Sequence, residues 1–242
     1  LCSTVHEENG EKEYIDMLNR QMMDGIIMGT HSLDIEDYNG VVRPIVSLDR
    51  YINESIPIVM SDHEKGGTLA AEELLRCGCK KVLQIMGSRN VNTPAHLHHY
   101  AFEKKLLEAG VTVCTEEAPW NRWSFDEFYS FVQKIYTAYP DIDAVWAAND
   151  EMALGAVEAY KNAGYSQEQR PVIFGIDGLE DALEAVKEGT MQGTVYNDNV
   201  DQAGEIARLA VDLFKGNDIS KHKLKDGRYY MSLYQKVETG NV

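Results

Sequence analysis

Four apolar runs in this chain each stop on a carboxylate or an amide: PIVSLDR at 44–50, AVWAAND at 144–150, PVIFGID at 171–177 and GTVYND at 193–198. The breaks fall at Asp49, Asn149/Asp150, Asp177 and Asn197/Asp198. Runs that are continuously apolar, rather than alternating, are buried on both faces, as strands are in parallel sheets covered by helices. Such strands are predicted at 25–29, 44–48, 57–60, 81–87, 143–148, 171–176 and 191–196. Helix-period segments alternate with them at 8–22, 66–77, 100–109, 125–138, 151–163, 179–188 and 200–214. Gly78, Gly110, Gly164, Gly189 and Gly216 stand where these helices should stop. The tail DGRYYMSLYQKVETGNV alternates like one final strand with a loose end. The alternation predicts an α/β fold. In open α/β sheets ligands bind outside the carboxyl ends of the strands. Short acceptors and amides gathered there suit a small molecule rich in hydroxyls.

The segment 35–62 breaks the rhythm. Its two strands, 44–48 and 57–60, stand too close for a crossover helix between them, which suits a chain passing from one lobe to another. Two lobes with a ligand cleft are therefore expected, and 242 residues suffice for two small cores. No apolar run approaches the ~20 residues that span a bilayer. The opening LCSTVHEENGEKEY has neither Met nor a basic-then-apolar leader and starts inside a strand-like run, so it reads as a fragment. A formal net charge of -16, spread along the chain, opposes binding of DNA or anionic lipid by this segment itself. Cys2, Cys77, Cys79 and Cys114 make no metal or redox spacing, and they are expected as free, mostly buried thiols in a reducing cytoplasm.

Each candidate residue has a bland reading beside the functional one. Asn149 or Asp150 and Asp177 could cap the helices that follow them. Four such residues at successive strand ends favour a site. Trp120 and Trp123, in APWNRWSF, could stack on a sugar ring or sit in a core or at a rim. His96, His98 and His99 open a helix. Sequence neighbours there are expected not to converge, so no metal site is predicted and a solvated helix start is the alternative to a ligand contact from His98. No nucleophile elbow, phosphate loop or zinc-protease motif occurs, so no enzyme is predicted. No cofactor is expected.

Taken together, YIDMLNRQMMDGIIMGT, PIVSLDR, SDHEKGGTLAAEELLRCGCKKVLQIMG, AVWAANDEMALGAVEAYKNAG, VIFGIDG and GTVYNDNVDQAGEIA resemble the effector-binding core of the lac repressor/galactose repressor family. The later half is also similar to periplasmic galactose- and ribose-binding proteins. The resemblance implies a two-lobed, type I periplasmic-binding-protein-like fold whose first strand and helix precede this sequence. One lobe would take 1–61 and 197–221, the other 62–196 and the terminal strand at 226–242. It implies ligand contacts from Asp49, Asn149, Asp177 and Asn197, with Trp123 (or Trp120) stacking on the sugar. The family usually has an Arg, followed three residues on by Gly-Phe, that reaches the ligand. Here those positions are His98 and Ala101-Phe102. Losing the guanidinium argues for a neutral sugar over a phosphorylated or carboxylated one. The resemblance further implies a cytoplasmic homodimer that reaches operator DNA through an upstream domain, with ligand-driven closure altering lobe and dimer geometry. The alternative is an exported sugar-binding protein of a transport system.

Overall fold

A computed structural model describes residues 10–29, 38, 40–91, 93–118, 125–222, 230–232 and 234–238. In chain order the elements are α1 (Gly10–Asn19), β1 (Ile26–Met28), β2 (Ile45–Leu48), β3 (Ile58–Ser61), α2 (His63–Arg76), β4 (Lys81–Gly87), α3 (His96–Glu108), β5 (Thr112–Ala118), α4 (Phe125–Ala138), β6 (Ala144–Trp146), α5 (Asp150–Asn162), β7 (Val172–Asp177), α6 (Glu180–Lys187), β8 (Gly193–Asn197), α7 (Asn199–Phe214), β9 (Tyr230–Ser232) and β10 (Tyr234–Glu238). They fall into two compact units: residues 1–61, 92–94 and 198–232, and residues 62–91, 95–197 and 233–242.

The first unit holds a four-stranded sheet in the order β1-β2-β3-β9, parallel throughout. Successive side chains of a strand point to opposite faces. Ile45 accordingly packs with Ile15 and Leu18 of α1, while its neighbour Val46 packs with Ile206 and Leu209 of α7. Covering both faces is what makes these short strands apolar without alternation.

The second unit holds a six-stranded sheet in the order β10-β8-β7-β6-β4-β5, parallel except for β10. Val82, Trp146 and Phe174 face α2 and α3 on one side. Leu83, Val145 and Ile173 face α4, α5 and α6 on the other. The helix stops named above all take positive φ, from +71° at Gly216 to +85° at Gly164.

The structure departs from the sequence reading in three places. β5 is absent from the predicted strands, because as an edge strand it is only partly buried and carries Glu116 and Glu117. The tail does not form one strand. Tyr230–Ser232 runs parallel to β3, whereas Tyr234–Glu238 runs antiparallel to β8. Helices α2 and α3 start at His63 and His96, earlier than 66 and 100. For α2 the reason is that the Lys65 N–H donates to Asp62 Oδ1 at 3.1 Å, which makes Asp62 the N-cap.

Candidate functional site

The polar strand ends of the second unit lie along one edge of its sheet. β8, β7 and β6 are neighbours. Trp146 pairs with Phe174, so Asn149 and Asp177 stand three residues beyond the same rung. Asp177 pairs with Tyr196, next to Asn197. The structure therefore brings Asn149, Asp177 and Asn197 to the carboxyl edge of three adjacent parallel strands, where α/β sheets bind ligands.

The tandem Asn149-Asp150 divides its work. Asn149 caps α5, its Oδ1 accepting from the Met152 N–H at 2.8 Å. Asp150 is fully buried. Its Oδ2 accepts from the backbone N–H groups of Gly178 and Leu179 at 2.7 and 2.8 Å, and its Oδ1 accepts from Thr194 Oγ1 at 2.7 Å. Burial raises the carboxyl's pKa, while these three hydrogen bonds act to lower it. The carboxylate so tethers the turn that carries Asp177. Asp177 itself has φ +127°, a region that residues with a Cβ rarely adopt. Strained backbone of this kind persists only where its surroundings hold it, and it concentrates at ligand sites. The sequence places Asp150 at a strand end or as a helix cap, not as a buried tether. The signal that could have found it is the paired Asn-Asp, since a helix needs only one N-cap.

His98 is neither solvated nor exposed. With His96 and His99 it lies buried in the first turns of α3. The His98 and His99 rings stand 4.2 Å apart, and their centres lie 5.3 and 5.0 Å from the Trp146 ring. The two neighbours thus converge, contrary to the expectation from helix geometry, because both turn inward onto one indole. Among the described residues, no three His, Cys, Asp or Glu side chains are arranged to hold a metal ion.

In the first unit, Asp49 ends β2 with φ +52°, its N–H donating to Val59 O at 2.9 Å. The adjoining Arg50 is buried, and its Nη1 lies 2.9 Å from Glu11 Oε1 and 3.2 Å from the Tyr38 hydroxyl. Tyr38 donates to the same Glu11 oxygen, and Ser47 Oγ donates to Arg50 O. Burial and the Glu11 carboxylate raise the Tyr38 phenol well above its ordinary value. This network anchors the residue after Asp49, and the sequence reading did not single it out. Trp120 and Trp123 lie outside the described residues. Of the cysteines in the described residues, Cys79 is buried, its thiol pushed up to about 12 mainly by burial, while Cys77 and Cys114 are half-buried rather than buried as expected.

Residues 39–218 match the family described as periplasmic binding protein domain. A ribose operon repressor of Halalkalibacterium halodurans is 33% identical over 179 residues, covering 74% of this chain and 53% of the repressor. A ribose import binding protein of Bacillus subtilis is 29% identical over 198 residues, covering 78% of this chain and 61% of that protein. The chain thus spans about half the length of the repressor it matches. Among solved structures, a solute binding protein of Actinobacillus succinogenes with bound D-allose superposes with a TM-score of 0.79 at 24% identity, covering 98% of this chain and 85% of that one. That likeness establishes the two-lobed, type I periplasmic-binding-protein-like α/β fold. These relatives are repressors and binding proteins, not enzymes. By the match across most of its length, the chain belongs to the periplasmic binding protein domain family.

Proposed function

We propose that this chain is the effector-binding core of a DNA-binding transcription regulator that answers a neutral sugar. The observation that carries the reading is the match to an operon repressor across 74% of the chain. The proposed contacts are Asp49, His98, Asn149, Asp177 and Asn197. Their carboxylates accept hydroxyl protons, and their amides both accept and donate. His98 carries no guanidinium fork for a phosphate or carboxylate, which supports a neutral ligand. No step of chemistry is asked of these residues; the chain binds and does not turn over its ligand. Regulation follows from the effector's unequal affinity for two states of a homodimer, since a ligand shifts an equilibrium only by its differential affinity. DNA contact is assigned to a separate domain of a cytoplasmic protein, because a net charge of -16 repels phosphates.

The match to the ribose import binding protein favours a second reading, an exported sugar-binding protein of a transport system. One experiment separates them. The intact protein is assayed for retention of DNA from its own promoter, with and without each of a panel of neutral sugars. Retention changed by one sugar supports a regulator. A protein that binds a sugar tightly as a monomer and retains no promoter DNA is a transport binder.

A further inference from the structure

Four imidazoles of the second unit cluster together, two of them, His98 and His99, packed against the Trp146 indole. His63 begins α2, and His96, His98 and His99 lie in the first turns of α3. The His63 and His98 ring centres are 5.6 Å apart. All four histidines and Trp146 are buried. Among the described residues, His98 Nδ1, His98 Nε2, His96 Nε2 and Trp146 Nε1 are buried with no hydrogen-bond partner. His99 Nδ1 lies 3.1 Å from Gln84 Oε1, and Gln84 Nε2 donates to Thr115 Oγ1, so the amide oxygen accepts and His99 carries its proton on Nδ1. α2 and α3 approach closely here: a Cβ on Gly67 would stand 1.9 Å from His98 O.

Among the described residues, the groups that face the His98 and His99 rings carry no carboxylate that stabilises their protonated forms. α2 presents His63, β4 presents neutral Gln84, and β6 presents Trp146. At the β5 side Glu117 is engaged by Arg89, whose Nη1 lies 2.8 Å from its carboxylate. Glu117 acts on His96, while Arg89 opposes protonation of both His96 and His99. Within the cluster each imidazolium would repel the next.

We propose that this cluster is a proton-operated latch, in which protons taken up by His98 and His99 as the pH falls below about 6 release α3 from α2 and β6 and open the second unit. Burial, and then the neighbouring imidazoles, hold His98 well below the ordinary imidazole value, and burial holds His99 down to about 3. The open state regains the ordinary value of about 6.5, so it binds more protons than the closed state throughout the interval below that. The stabilising contribution is whole above pH ~6.5, is lost progressively as the pH falls towards about 3, and levels off once the closed state protonates too. Because His98 is also a proposed effector contact, the latch is tested on the effector-free protein.

The test is backbone hydrogen exchange of the intact protein between pH 7.5 and 5.0, corrected for the intrinsic exchange rate. Each proton taken up on opening lowers protection about tenfold per pH unit. Segments 63–76, 96–108 and 144–149 should therefore lose about tenfold to a hundredfold per unit below pH 6.5, while segments 10–19 and 45–48 change by less than threefold. In His98→Gln the dependence should fall by about one proton. Should that variant not fold, the imidazole C2–H resonances of the unaltered protein decide the matter. Two histidines that stay unprotonated in the folded protein at pH 5 support the latch. Protection that does not vary with pH, or His98 and His99 both titrating near 6.5 in the folded protein, overturns it.

Discussion

A methyl group on Gly175 would stand 2.2 Å from Asp150 Oδ1 and 3.2 Å from Ala153 Cβ. Gly175→Ala should therefore destabilise the protein by about 1–3 kcal/mol, measured as the shift in urea midpoint, because neither backbone nor buried carboxylate can easily move away. Asp150→Asn should cost a similar amount, about 1–3 kcal/mol, since it sets an amide N–H₂ against buried donors. The two effects should not add, because one removes the acceptor geometry that the other displaces. Sequence reasoning reached Asn149 and Asp177 from residue type and strand position, both of which are local properties. The tethering role of Asp150 was not legible, because its partners Gly178, Leu179 and Thr194 are 28, 29 and 44 residues away. Arg50 was missed for the same reason, its partner Glu11 lying 39 residues back.

At the scale of elements, the C-terminal ends of helices with a glycine stop were legible to within a residue, as for α5, α6 and α7, and α4 is the predicted 125–138 itself. β5 was not, since an edge strand buries one side only and tolerates glutamates that interrupt an apolar run. The close approach of α2 to α3 was likewise invisible, because it depends on which helices the fold sets side by side. Gly67→Ala should destabilise the protein by about 3 kcal/mol or more, because the clash is with the backbone carbonyl of His98. Asn149 tests capping against binding. Asn149→Ala should cost about 1 kcal/mol of stability through the lost N-cap. If its amide also holds the effector, affinity should drop by about tenfold or more, the equivalent of one charge-neutral hydrogen bond.

For the whole molecule, the order of strands and helices sufficed to predict an α/β fold, and the motif string sufficed to name the family. The ligand was not legible at this scale, because specificity depends on where a few hydrogen-bonding atoms stand, not on the succession of elements. The strongly acidic balance also speaks at this scale: this chain by itself should not retain DNA at physiological salt in a gel-shift assay. The central claim is that the chain holds a neutral sugar through the carboxyl-edge residues of its strands. Calorimetric titration of the intact protein with ribose, sucrose, allose, myo-inositol and the corresponding sugar phosphates tests it most directly. A neutral compound should bind, and Asp177→Ala should remove the binding while leaving a folded protein. Binding by phosphorylated sugars alone, or binding untouched by Asp177→Ala, would contradict it.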